Sequence, residues 1–207
     1  MLLILQFLLL FCSFDAIALD KDLIPPKKEI LRIKELDILL GSEEAPNTII
    51  EYSSLACPHC ADYYNQIFPQ IKKELINSGK VKYIYRDFPT TRSALYAATT
   101  ARCLATKDGL VNAETFFRIL QLLFKSQNSW AFSGDYKIQL QKLLNLGGFE
   151  QERINFCSLG DEEKNQALVA EAFLAIKSLD IIGSPALFLN DKLLENHDFE
   201  AIVKQLK

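Results

Sequence analysis

The sequence has little of what marks the unusual classes of protein. Glycine (8) and proline (7) are too sparse in 207 residues for a collagen-like or low-complexity chain. Positive charge is not in excess: a net charge of -3 leaves no electrostatic footprint for nucleic acid. Five cysteines are too few for a disulfide-dense miniprotein. No internal repeat is present. The one long apolar run, Leu2 to Phe14, falls short of the roughly 20 residues that a membrane-spanning helix needs. What is there is globular. With 49% hydrophobic and 24% charged residues the chain is not disordered, and its length suits one domain, or one domain carrying an insertion.

The apolar N-terminal run ends in Ala16-Ile17-Ala18, a small-x-small cleavage pattern, so residues 1–18 read as a secretory signal peptide, although no base precedes the run. An uncleaved anchor is the alternative. A lipoprotein role for Cys12 is disfavoured by bulky Phe11. Cleavage would remove Cys12 and leave Cys57, Cys60, Cys103 and Cys157, an even number in an exported chain, where disulfides are chemically sensible.

Residues 19–35, with Pro25-Pro26, read as a mobile lead-in, with room for a short helix over 29–35. Leu36–Leu40 and Thr48–Ser53 read as strands, the second spoiled by Glu51. A helix follows over about Pro58–Asn77, with a kink at Pro69, and then a strand over Lys80–Asp87. From 93 to 179 the signals are helical: 93–106, 113–125, 136–146, 150–157 and 161–179. In the last of these, Leu168, Val169, Ala172, Phe173 and Ile176 form the apolar stripe expected to face inward. Strands return at 186–189 and 192–194, and a helix closes the chain over 199–206. The pattern is an α/β sheet domain whose two halves flank a helical insertion. Trp130 and the cluster Phe116, Phe117, Leu120 and Leu123 read as the insertion's core, and His197 as a solvated turn residue.

The chemistry concentrates in Cys57-Pro58-His59-Cys60, directly after a strand and opening a helix. At the N-cap, Cys57 would meet unpaired backbone N–H groups and the positive end of the helix dipole. Pro58 suits the first helical position. His59 can place a positive charge beside the sulfur. All three favour the Cys57 thiolate, the nucleophilic form, while Cys60, one turn on and more buried, would be the resolving thiol. Stabilising the reduced form makes the disulfide a stronger oxidant. Two other uses of the motif stay open at this point: half of a zinc site completed by Cys103, Cys157 or His197, and a purely structural disulfide.

The segments GSEEAPNTIIEYSSLACPHC, VKYIYRDFP and IIGSPALFLN resemble the DsbA family of thiol:disulfide oxidoreductases, over essentially all of the chain from Leu36. The resemblance implies a thioredoxin fold with a helical insertion domain at about 93–179. It implies Cys57 as the attacking cysteine, Cys60 as its partner, and Pro185 as a cis-proline facing them. The Ser184 backbone would then be free to pair with an extended substrate. Glu51 matches the family's buried acid that shuttles a proton for Cys60; read from the residues alone, it could be a strand-edge carboxylate facing water. Ser184 departs from the best-known family member, which has an apolar residue there, and its hydroxyl could hydrogen-bond the Cys57 sulfur. A subset of the family carries a second disulfide, to which Cys103 and Cys157 correspond; two buried free thiols are the alternative.

The implied activity is a periplasmic dithiol oxidase without a dissociable cofactor or metal. It would be a monomer acting on unfolded or newly exported cysteine-containing proteins and would be reoxidised by a DsbB-like membrane partner. The rivals are an isomerase or reductase on the same fold, for whose dimerisation domain residues 19–35 offer no room, and a non-catalytic chaperone or metal-binding protein.

Overall fold

The computed structural model describes residues 24–207. The signal-like segment, Cys12 and the start of the lead-in lie outside the described residues. A five-stranded sheet organises the rest. Its strands are β1 (Ile38–Leu40), β2 (Asn47–Ser53), β3 (Val81–Asp87), β6 (Ala186–Leu189) and β7 (Lys192–Leu193), in the order β1-β3-β2-β6-β7. Only β2 and β3 run parallel; β1 on β3, β6 on β2 and β7 on β6 are antiparallel. The two halves of the chain therefore meet at the β2–β6 pair, where Glu51 stands opposite Leu187.

Successive strand residues face opposite sides, and both sides of this sheet are covered. One face carries Ile49 and Glu51 of β2 with Tyr83 and Tyr85 of β3. It packs under α2 (Pro58–Gln66) and under the helices that follow β3. The other face carries Ile50, Tyr52, Ile84 and Phe188 and packs under α1 (Lys27–Ile30) and α9 (Glu162–Leu179). Alternation thus directs Glu51 into the interior on the α2 side.

The expected long helix from Pro58 is interrupted at Ile67, two residues before Pro69. It resumes as α3 (Phe68–Ile71) and a π-helical turn, Lys72–Ile76. Proline has no N–H for the helical ladder and tolerates only a first turn, so the break falls where Pro69 can occupy one.

Between β3 and β6 lie α4 (Arg92–Ala105), a small hairpin of β4 (Thr106–Lys107) and β5 (Leu110–Val111), α5 (Ala113–Lys125), α6 (Gln127–Trp130), α7 (Tyr136–Leu146), α8 (Gln151–Ser158) and then α9. Thr91, Asn112 and Asp161 cap α4, α5 and α9 through side-chain oxygens. Helices α4 to α8 form the cap. Trp130, Phe116, Phe117, Leu120 and Leu123 are buried, and the phenylalanines also pack edge-on against Tyr83 and Tyr85, so cap and sheet share one core. Cys103 on α4 and Cys157 on α8 are bonded to each other.

Three expectations are corrected. Residues 24–35 are tied to the body: Ile30 and Leu31 are buried, and Arg86 donates to the carbonyls of Ile30 and Arg32 while forking onto Asp37. Helix α9 covers the second face of the sheet instead of joining the cap. It turns Leu168, Ala172, Ala175 and Leu179 inward and leaves Val169, Phe173 and Ile176 exposed. Two of its inward positions are alanines, Ala172 and Ala175, which carry little apolar signal beside Phe173 and Ile176. His197 is half-buried, with its ring edge-on to Tyr63 at 6.1 Å.

Candidate active site

The strand β2 delivers the chain to a buried loop, Ser54 to Ala56, and Cys57 is the N-cap of α2 with Pro58 directly after it. The loop is held from the cap. Buried Gln127 on α6 donates through Nε2 to the carbonyls of Leu55 (2.8 Å) and Cys57 (3.0 Å). Ser54 fixes the other side through its hydroxyl contact with Thr90 at 3.0 Å. Gln127 lies in a polar stretch whose sequence resembles an exposed turn, so nothing in the sequence marks it as buried.

Cys57 and Cys60 are both free thiols, the first half-exposed and the second fully buried. Cys57 is held well below its ordinary 9.0, at about 5. The Cys60 thiol hydrogen-bonds its sulfur, against the opposing effect of partial burial, and the Ser184 side chain and the backbone N–H groups of Cys60 and His59 add to this. These N–H groups belong to the open first turn of α2 and serve a sulfur anion without reorganisation. The His59 contribution thus comes through its backbone, and its side chain is exposed. The Cys60 thiol is pushed far up, first by burial and then by its bond to Cys57; the nearby Glu51 charge acts in the same direction. The Ser54 backbone N–H points at its sulfur at 3.4 Å. The two sulfurs are therefore opposite in character: one accessible and ready to ionise, one buried and holding its proton.

Across from them the Ser184–Pro185 peptide bond is cis. As a thiol, Cys57 donates to the Ser184 carbonyl at 3.1 Å, which places this loop against the reactive sulfur. Ile182, two residues earlier, is fully exposed.

Glu51 is completely buried and not at a water-facing edge. Burial raises its carboxyl from 4.5 to about 7, even though Tyr83 and Ser53 favour the charged form. The Tyr83 hydroxyl donates to Oε2 at 2.6 Å, while Oε1 has no hydrogen-bond partner among the described residues. Neither Tyr83 nor Tyr63, whose hydroxyl lies 3.2 Å from that of Tyr83, was singled out by the sequence. Each sits among other buried aromatics, Tyr83 beside Tyr85 on β3 and Tyr63 beside Tyr64 on α2, so nothing local separates them from core residues. The bond between Cys103 and Cys157 removes both from any zinc site at Cys57 and Cys60, and His197 packs on Tyr63 instead.

This strand, N-capping cysteine, buried partner and cis-proline define a thioredoxin-fold dithiol site, and residues 34–207 match the family described as Thioredoxin. Within that class the chain belongs to the DsbA-like thiol:disulfide oxidoreductases. The crystal structure of Wolbachia pipientis alpha-DsbA1 superposes with a TM-score of 0.74 at 30% identity, over 86% of this chain and 92% of that one. A Rickettsia prowazekii protein described as a candidate protein-disulfide oxidoreductase is 34% identical over 181 residues, 87% of this chain and 64% of its own length. Disulfide bond formation protein D of Bacillus subtilis is 26% identical over 178 residues, 82% of this chain and 77% of its own length. The chain thus spans a little under two thirds of the Rickettsia relative. Among the described residues no helix is long and apolar enough to cross a membrane.

Proposed function

We propose that this protein is an exported dithiol oxidase that donates the Cys57–Cys60 disulfide to newly exported proteins containing cysteine. The observation that carries the reading is the half-exposed Cys57 at the N-cap of α2 beside a buried Cys60, a placement that lowers the Cys57 thiol to about 5. A reduced form so favoured makes the oxidised form a willing donor.

A substrate thiolate attacks Cys57 of the disulfide. The S–S bond breaks, Cys60 leaves with the electron pair and takes a proton, and Cys57 is joined to the substrate. A second substrate thiolate attacks the substrate sulfur of that mixed disulfide. The substrate leaves oxidised, and Cys57 leaves as a thiolate. The cis Ser184–Pro185 loop offers backbone for an extended substrate strand beside the sulfur, and Ile182 adds apolar surface. Glu51 exchanges the Cys60 proton. A DsbB-like membrane partner would reoxidise the pair, residues 1–18 would direct export to the periplasm, and the enzyme would act as a monomer. The Cys103–Cys157 bridge is assigned to holding the cap.

Equilibration with glutathione buffers over a range of pH tests the assignment. The potential of Cys57–Cys60 should be far more oxidising than the roughly -270 mV of a thioredoxin. With Cys57 ionising at about 5 and Cys60 staying protonated, reduction takes up one proton for two electrons above pH 5. The potential should then fall by about 30 mV per pH unit from pH 5 to 9, and about twice as steeply below pH 5. A value close to that of thioredoxin would overturn the oxidase assignment.

A further inference from the structure

The acid beneath the dithiol is not alone. Glu51 on β2, Tyr83 on β3 and Tyr63 on α2 form one buried chain of hydrogen bonds. Its polarity follows from proton counting. Tyr83 has one hydroxyl proton and gives it to Glu51 Oε2, so at the 3.2 Å contact Tyr63 must be the donor to Tyr83. Both hydroxyls thus point their protons toward the carboxyl. Tyr63 sits three residues after Cys60 on the same helix, so the chain starts on the helix of the resolving sulfur and ends on the acid that faces it.

We infer that Tyr83, oriented by Tyr63, is a positioning residue for the exchange reaction: its hydroxyl holds Glu51 by Oε2 and keeps Oε1 open as the acceptor of the Cys60 proton. The inference rests on Cys57 and Cys60 exchanging disulfides, and not on the direction in which they do so.

Of the neutral neighbours of Glu51, Tyr83 and Ser53 favour its charged form, and among the described residues only Tyr83 makes a hydrogen bond to it. From β3, Tyr83, Tyr85 and Asp87 act on or feel the Glu51 charge; from α2, Cys60, Tyr63 and Tyr64 do so; from β6, the register partner is apolar Leu187. Asp87 disfavours the carboxylate and is itself paired with Arg102. Among the described residues no Lys, Arg or His pairs with Glu51 or hydrogen-bonds it. The carboxylate therefore depends on neutral donors, and Tyr83 is the one with a short, direct bond. Without that bond, burial would hold the carboxyl protonated at neutral pH and deny Cys60 its base.

The step that reports this is attack by Cys60 on a mixed disulfide at Cys57. The Cys60 proton passes to Glu51 and the Cys60 sulfur bonds to Cys57. The bond from Cys57 to the outer sulfur breaks, and that sulfur leaves as a thiolate with the electron pair. Dithiobis(nitrobenzoate), a chromogenic aryl disulfide, resolves the step with the full chain carrying Cys12→Ser and with Cys57 and Cys60 reduced: Cys57 releases one aryl thiolate and Cys60 then releases the second. Cys103 and Cys157, bonded to each other, do not contribute.

Tyr83→Phe should leave the first release unchanged within about twofold. It should slow the second about tenfold or more at pH 7 and move its pH midpoint upward, as expected for loss of a hydrogen bond to a charged acceptor. Tyr63→Phe should shift the midpoint the same way by less. Glu51→Gln should flatten the pH profile, and Tyr83→Phe added to it should change the second release by less than about twofold. A packing role alone would slow release in both backgrounds alike, and that result overturns the inference, as does an unmoved pH midpoint in folded Tyr83→Phe. If Tyr83→Phe does not fold, the midpoint of Tyr63→Phe decides in the same way. A wild-type chain with no first release would instead overturn the exchange reading itself, and this inference with it.

Discussion

Replacing Cys103 and Cys157 together by serine should lower the unfolding free energy by roughly 4 kcal/mol while leaving thiol–disulfide turnover intact. The size follows from the chain the bridge closes. Its 54-residue separation spans the hairpin, α5, α6 and α7, which is nearly the whole cap, and loop-closure entropy on that scale gives roughly 4 kcal/mol in an unstrained native state. The effect lies mainly in the unfolded chain, which can then expand. The denaturant dependence of unfolding should therefore steepen as the midpoint falls. The folded arrangement has a second tie at the same place. Arg153 on α8 donates to the carbonyl of Cys103 at 2.8 Å and to that of Thr106 at 3.2 Å, so α8 stays docked on α4 without the bridge. Neither sulfur is among the groups that bond Cys57 or Cys60. Urea titration with a turnover assay on the same preparations checks both halves. A loss below about 1 kcal/mol, or a folded double variant without turnover, would contradict the assignment of a cap-holding role.

How far the sequence foretells the site depends on whether the signal is local. Cys57 as an N-cap followed by proline is local chemistry, and it appears where the motif puts it. The helix over 113–125 and the strand over 186–189 match their patterns because caps and periodicity agree. The β4–β5 hairpin goes unread although Asp108-Gly109 carries a turn signal, with both residues at positive φ. Strands of two residues are too short to alternate. What fails most is what depends on distant partners. Gln127 is buried because two loop carbonyls, some seventy residues earlier in the chain, need a donor. The inward face of α9 is set by the sheet beneath it, which selects Ala172 and Ala175 over the larger Phe173 and Ile176. Tyr83 and Tyr63 look like ordinary core aromatics until the fold sets them around an acid.

That acid makes the second large expected effect, and its sign is opposite to that of a stabilising residue. Glu51 is raised in the folded protein from 4.5 to about 7, so the neutral form is favoured by folding. The favourable contribution is fully present below pH 4.5 and is lost as pH rises through 7, because the folded protein must then hold a buried carboxylate that the unfolded chain would solvate freely. Integrated to pH 8, the loss is about 3 kcal/mol. Glu51→Gln keeps the shape and stays neutral. It should match the wild type in stability near pH 4 and exceed it by about 3 kcal/mol at pH 8. The difference between the two proteins cancels every contribution that does not depend on the Glu51 charge. Chemical denaturation at pH 4, 6, 7 and 8 reads the gap directly. A constant gap would mean that Glu51 ionises in the folded protein near 4.5, as in the unfolded chain, and that burial has not raised its carboxyl. If the gap opens with pH, the wild type carries at neutral pH a carboxylate that burial disfavours and that a neutral amide would spare it. Packing cannot account for such a residue, because glutamine packs as well. Such a gap is the behaviour expected of a carboxylate kept for the proton it can accept, and Cys60, whose thiol feels the Glu51 charge, is the proposed donor.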